Sequence, residues 1–171
     1  MRDATARSRS SPRKNLVGFL VGGVHYAIDI WRVREIVQPL PLTLLPFTHE
    51  SIVGVADHRG EVVPVIDLRR QFREPAENTR KTKWILLRAA DRVVGIVVDS
   101  VTGPFGSADE QLRPAPTLGG GEARRGISGV TTYQGGLVFV IDPSLIEDIV
   151  QPAIEQGLPA AEALHALEPA P

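Results

Sequence analysis

Between residues 15 and 151 the apolar positions fall in short runs rich in Val and Ile, punctuated by Gly, Pro and Asp, which predicts strands joined by tight turns. LVGFLVGG leads through a turn at Gly22 and Gly23 into HYAIDIW. Its alternation places Tyr26, Ile28 and Ile30 on one face and Ala27, Asp29 and Trp31 on the other. Pro39 and Pro41 interrupt RVREIVQPLPLTLLP, so Val33 to Val37 reads as a short strand or turn and Leu42 to Leu45 as an extended edge. Residues 48–53 predict one short helical turn, with Thr48 as its cap and Ser51 exposed.

IVGVAD and EVVPVIDL then flank His58, Arg59 and Gly60, where Gly60 supplies the backbone freedom of a hairpin turn. Pro64 predicts that the second of these strands lies at an edge or carries a bulge. A polar loop from Arg73 to Lys83 precedes WILLRAADRVVGIVVDSV, a hairpin turning at Ala90 to Arg92. Past a loop containing RPAP and GGGEARRG, ISGVTTYQGGLVFVIDPSLIEDIV predicts another hairpin with its turn at YQGG. Asp142 followed by Pro143 is a helix start, so Ser144 to Val150 is predicted helical. Successive hairpins without strand–helix alternation make the chain mainly β, a barrel or a pair of small barrels and not a parallel sheet.

The chain has 171 residues, enough for about one core. Nineteen basic and 20 acidic residues leave a net charge of −1, so no global field draws it to nucleic acid or membrane. The charge is unevenly placed: residues 1–14 are basic and Arg/Ser-rich, residues 152–171 acidic and Ala/Pro-rich, and both compositions predict disordered tails. RKNLVGFLVGGV superficially resembles a secretory leader, but its apolar run is short and glycine-rich and no small-residue cleavage site follows. No run approaches the ~20 apolar residues of a membrane span. Aromatics are only 5% of residues, too few to interleave with positive charge as a single-strand nucleic-acid surface requires.

The residues able to bind metals or move protons are His49, Asp57, His58 and Asp67. None shows the spacing that sets ligands on one helix face, and with no cysteine a thiolate site is excluded. A metal-dependent hydrolase using His49, His58 and Asp67 is therefore the weakest reading, and Asp57-His58 reads first as the polar tip of a hairpin. No serine lies in a nucleophile elbow, and Gly119 to Gly121 lacks the lysine of a phosphate loop. No catalytic, cofactor or metal site is expected.

YAIDIWRVREIV, PLTLLP, SIVGVADHRGEVVPVIDLRRQF, RVVGIVVDSV, EQLRPAP and GLVFVIDPSLI, in that order, resemble the CheW family of bacterial chemotaxis coupling proteins over residues 15–151. The resemblance implies two small five-stranded SH3-like β-barrels around a shared hydrophobic core with a short C-terminal helix. It further implies a non-enzymatic scaffold in the cytoplasm at receptor arrays, joining chemoreceptor cytoplasmic tips to the regulatory domain of a CheA-type histidine kinase. A regulator of a kinase or motility apparatus that works without receptors is the alternative. The resemblance places Ile30, Val33 and Glu35 in a first-barrel partner-binding segment and Arg59 as the charge partner of Glu35. Gly54 falls near a kinase-facing surface, and Lys83, Trp84 and Gly95 fall along a receptor groove on the second barrel. Asp57 and His58, standing where the family commonly has Asn-Leu, and Trp84, where an aliphatic residue is usual, are departures from the pattern. For the apolar positions core burial is the plainer reading.

Overall fold

The turn at Gly22 and Gly23 folds the first predicted strand back on the second, and the remaining turns act likewise at their own positions. The computed structural model describes residues 13–45, 49–108, 112–115 and 125–155. The strands are β1 (Arg13–Val21), β2 (Val24–Asp29), β3 (Val33–Val37), β4 (Ile52–His58), β5 (Glu61–Asp67), β6 (Lys83–Ala89), β7 (Arg92–Val98), β8 (Ser100–Ala108), β9 (Ile127–Tyr133) and β10 (Gly136–Ile141). A 3-10 turn spans Ile30–Arg32, and two helices follow strands, α1 (Leu68–Gln71) and α2 (Ser144–Glu155).

The strands form two five-stranded sheets, ordered β8-β1-β2-β10-β9 and β3-β6-β7-β5-β4. Most neighbours are antiparallel, but β10 pairs parallel with β2 and β5 parallel with β7. Alternation along each strand divides the apolar residues between two destinations. One face of each sheet meets the other in a shared core, in which Phe19, Tyr26 and Ile28 pack with Ile66, Ile85, Leu87 and Ile96, closed by Ile146 and Ile149 of α2. The opposite faces fill the barrel interiors: Leu16, Ala27, Phe105, Val138 and Val140 in the first, and Ala56, Val65, Trp84 and Val97 with Val63, Leu86 and Val93 in the second. The edges of each sheet are joined by side chains. Ser107 of β8 and Thr131 of β9 share a buried 2.7 Å hydrogen bond, and the corresponding seam between β3 and β4 carries the candidate site.

Several expectations are corrected. Ile30 does not continue the face of Tyr26 and Ile28, because Asp29 accepts a hydrogen bond from the Trp31 amide and turns the chain into the 3-10 turn. Ser51 is buried, its hydroxyl donating to Gln71 Oε1 (2.6 Å), in a turn and not a helix, while Thr48 lies outside the described residues. Pro64 is on an interior strand. Its parallel pairing with β7 begins only at Val65, and the bulge lies in the facing strand, between Ile52 and Gly54. Strand β8 had no predicted counterpart, because Gly103, Pro104 and Gly106 break its alternation.

The ordered elements also pass the expected boundaries. Arg13 and Lys14 pair with Ala108 and Ser107. Helix α2 runs through Pro152 to Glu155, held by burial of Ile149, Val150 and Ala153. Residues 1–12 and 156–171 lie outside the described residues, as does most of GGGEARRG. Among the described residues no helix is long and apolar enough to cross a membrane.

Candidate partner-binding site at the seam of the second sheet

Strands β3 and β4 are the two edges of the second sheet, so no backbone ladder joins them. Ionic side chains do. The β4–β5 hairpin turns through Arg59 and Gly60, both with positive φ, and the Gly60 amide donates to Asp57 Oδ1 (2.8 Å). This geometry lifts Arg59 into solvent, 72% exposed, with Nη2 donating to Glu35 Oε1 at 3.0 Å. His58 points the other way, into the barrel mouth at 8% exposure, where its Nε2 meets Glu35 Oε2, also at 3.0 Å. A carboxylate only accepts, so the His58 proton lies on Nε2. Each Glu35 oxygen therefore serves one partner, one buried and one exposed. Arg34 reaches across the same seam to Glu61 (2.6 Å).

Gly54 sits on the outer flank of this hairpin with φ 149°. A Cβ there would overlap the Thr43 carbonyl oxygen, whose hydrogen bond with the Val55 amide (2.9 Å) closes the chain after β3 onto β4. Glycine is thus required by close backbone approach as well as by conformation. Val33 packs against the shared core, while Ile30 is half-buried in the turn between the sheets.

The expected division of the candidates between two barrels does not hold. Every candidate from Val33 to Gly95 belongs to the second sheet, because β3 leaves the first sheet after the 3-10 turn and pairs with β6. Lys83 opens β6 with its ammonium near Gln38 Oε1 (3.4 Å). Trp84, 2% exposed, packs inside the barrel, and Gly95 lies on the central strand β7 between Leu86 and Val65. Trp84 also lines one wall of a groove of about 230 Å³ with Leu40, Leu42, Leu44, Val53 and Val97.

The polar floor of that groove is structural. Asp67 caps α1 and grips the buried Arg69 guanidinium through both oxygens (2.9 and 2.8 Å), while Arg69 also donates to the Glu77 carbonyl and Asn78 Oδ1 (both 2.8 Å). The hydrogen bond to Asp67 holds the Arg69 guanidinium above its ordinary pKa against the opposing effect of burial. His49 Nδ1 accepts from the Ser51 amide (3.1 Å). His49, His58 and Asp67 are thus each committed to a different partner. Among the described residues no group of three or more His, Asp or Glu side chains could hold a metal. Sequence reasoning found the Glu35–Arg59 pair through resemblance, but it missed His58 as the third member and the Arg34–Glu61 pair. Only a strand-pairing argument across the seam would have signalled either.

These features define a paired-barrel module with an ionic hairpin tip. The model of the CheW-like domain matches residues 15–150, and the chain belongs to that family. It is 32% identical over 119 residues to the chemotaxis protein CheW of Helicobacter pylori, covering 67% of this chain and 72% of that one. It is 35% identical over 125 residues to CheW of Klebsiella aerogenes, covering 72% and 75%. The crystal structure of the scaffolding protein TtCheW from Thermoanaerobacter tengcongensis shares the fold, with a TM-score of 0.71 at 24% identity over 77% of this chain and 90% of that one. Proteins of this family are non-enzymatic scaffolds, and the chain is a scaffold of that kind.

Proposed function

We propose that this chain couples chemoreceptor cytoplasmic tips to the regulatory domain of a CheA-type histidine kinase in the cytoplasm, at receptor arrays. The relatives named chemotaxis protein CheW support the pathway. The observation that carries a recognition role is Arg59 itself. An arginine at positive φ in a tight turn is conformationally costly, and its exposed ion pair returns little stability, so a partner is the use that accounts for it. Glu35 and Asp57, on the two edge strands that meet at the seam, lie where a partner at Arg59 can reach them, with His58 positioning Glu35 from below, and Lys83 opens the neighbouring strand β6. Trp84 and Gly95 shape the barrel beneath that surface.

The test is reconstitution of the full chain with the kinase and a receptor-tip fragment from the same bacterium, followed by sedimentation and kinase assay. A ternary complex in which kinase activity becomes receptor-dependent is expected. A kinase complex that excludes receptor favours a receptor-independent regulator. No binding to either partner overturns the proposal.

A further inference from the structure

Trp31 stands 78% exposed on the 3-10 turn that links the two sheets. Single apolar side chains scattered over a surface are ordinary. Trp31 differs in how firmly its backbone is held and in what lies beside it. Its amide donates to Asp29 Oδ1 (3.0 Å), and its carbonyl accepts from Arg88 Nη1 (3.3 Å), which also donates to the Val33 carbonyl (3.3 Å). The Arg32 guanidinium in turn donates to the Arg88 carbonyl (3.5 Å). The indole thus rests on a fixed platform, and little backbone ordering remains to be done on binding.

The charges along this edge are unequal in their partners. Arg32 faces Glu147 (3.6 Å), Arg34 faces Glu61 (2.6 Å) and Arg59 faces Glu35 (3.0 Å). Arg88 is exposed, its Nη1 rests on backbone carbonyls alone, and among the described residues no carboxylate forms an ion pair with it. An exposed tryptophan on the preformed turn before β3, the strand that carries Glu35, therefore stands beside an un-neutralised arginine of the adjoining strand β6, whose guanidinium holds the tryptophan's carbonyl. Trp and Arg are the residue types that most often dominate binding energy at protein interfaces.

We infer that Trp31 and Arg88 form a docking anchor for a protein partner that offers an apolar pocket to the indole and a carboxylate to the guanidinium. The inference rests on the coupling function proposed above and specifies the chemistry of the partner's surface. An acidic partner is required because docking against a neutral or basic surface would desolvate Arg88 with nothing to compensate its charge.

The experiment titrates the full chain with the cognate kinase and, separately, with the receptor-tip fragment at fixed salt. Trp31→Ala and Arg88→Glu are each expected to weaken at least one of these complexes about tenfold or more. Arg88→Lys should retain more affinity than Arg88→Ala, and Arg88→Glu should retain the least. A second readout uses the unaltered chain and is independent of any variant's stability. Of the two tryptophans, Trp84 is already buried, so indole emission should shift to shorter wavelength on complex formation as Trp31 leaves water. Affinities within about twofold of wild type for both partners, or a complex that forms without an emission shift, overturn the anchor. Binding that persists in the variants removes the anchor and leaves the coupling function standing. Wild-type protein that binds neither partner removes both.

Discussion

Arg59 offers a separation of stability from recognition that the structure allows to be worked through. It occupies the first central position of the β4–β5 turn with φ 55°, followed by Gly60 at 81°. This is the conformation in which Asn-Gly is strongly preferred, and the left-handed region costs a typical L-residue ~1–2 kcal/mol. Against that cost, the bond to Glu35 contributes ~0–1 kcal/mol, because Arg59 is 72% exposed and Glu35 keeps His58 when the guanidinium is removed. Arg59→Asn gives up the ion pair but relieves the turn, so its stability should match or exceed wild type by up to ~1 kcal/mol. Arg59→Ala gives up the same ion pair without relief and should fall below wild type by up to ~1 kcal/mol.

In thermal unfolding the two variants should separate by about 2–4 °C per kcal/mol, asparagine the more stable. Kinase affinity should behave differently. Both variants lack the guanidinium, so both should bind about 10–30-fold more weakly if Arg59 sits near the centre of the interface. Calorimetric melting and a binding titration at the same salt check the pair. Alanine proving more stable than asparagine would refute the account of the turn. Normal binding by both would refute the recognition role.

Val65 is fully buried inside the second barrel against Trp84, so Val65→Asp places an unpaired carboxylate there at a cost of several kcal/mol, and circular dichroism should show an unfolded chain at room temperature. Gly54→Ala drives a Cβ into the Thr43 carbonyl at φ 149° and should lower stability by ~2 kcal/mol or more in denaturant melts; an unchanged midpoint would contradict the close backbone approach. Asp142 accepts from the Ser144 amide at the start of α2 (2.9 Å), and that bond holds its carboxyl below the usual pKa. Its stabilising effect is therefore complete above the unfolded pKa and lost as pH falls through the lowered folded value. Asp142→Ala should cost ~1 kcal/mol at pH 7, and the gap to wild type should close in strongly acidic solution; a gap independent of pH would contradict the charged cap.

The elements legible in the sequence were those specified by neighbours along the chain. Gly22-Gly23, Arg59-Gly60, Ala90-Asp91 and Gln134-Gly135 each turn a hairpin where their composition indicates, because turn conformation depends on two or four residues. Asp142-Pro143 starts a helix for the same local reason. The alternation of β2 correctly separated Tyr26 and Ile28 from Ala27, although all three are buried, since both faces of that strand meet apolar surroundings.

What the sequence could not specify was which strands become neighbours. The parallel pairings of β10 with β2 and β5 with β7 join segments remote in the chain, and β8 is a strand only because β1 offers it a partner. Residue type pointed to His58, and the family resemblance to Glu35 and Arg59, but the bonds joining them span 23 and 24 positions and exist only where two unpaired edges meet. The same pairing took Trp84 and Gly95 into the sheet that carries Arg59, and it continued α2 past Pro152, where burial of Ala153 outweighs the disfavoured proline. Local conformation is set by short-range sterics and hydrogen bonds that neighbouring residues encode. Strand order, seam and exposure are set by how much apolar surface the whole chain can bury at once, and that quantity is a property of the assembled fold.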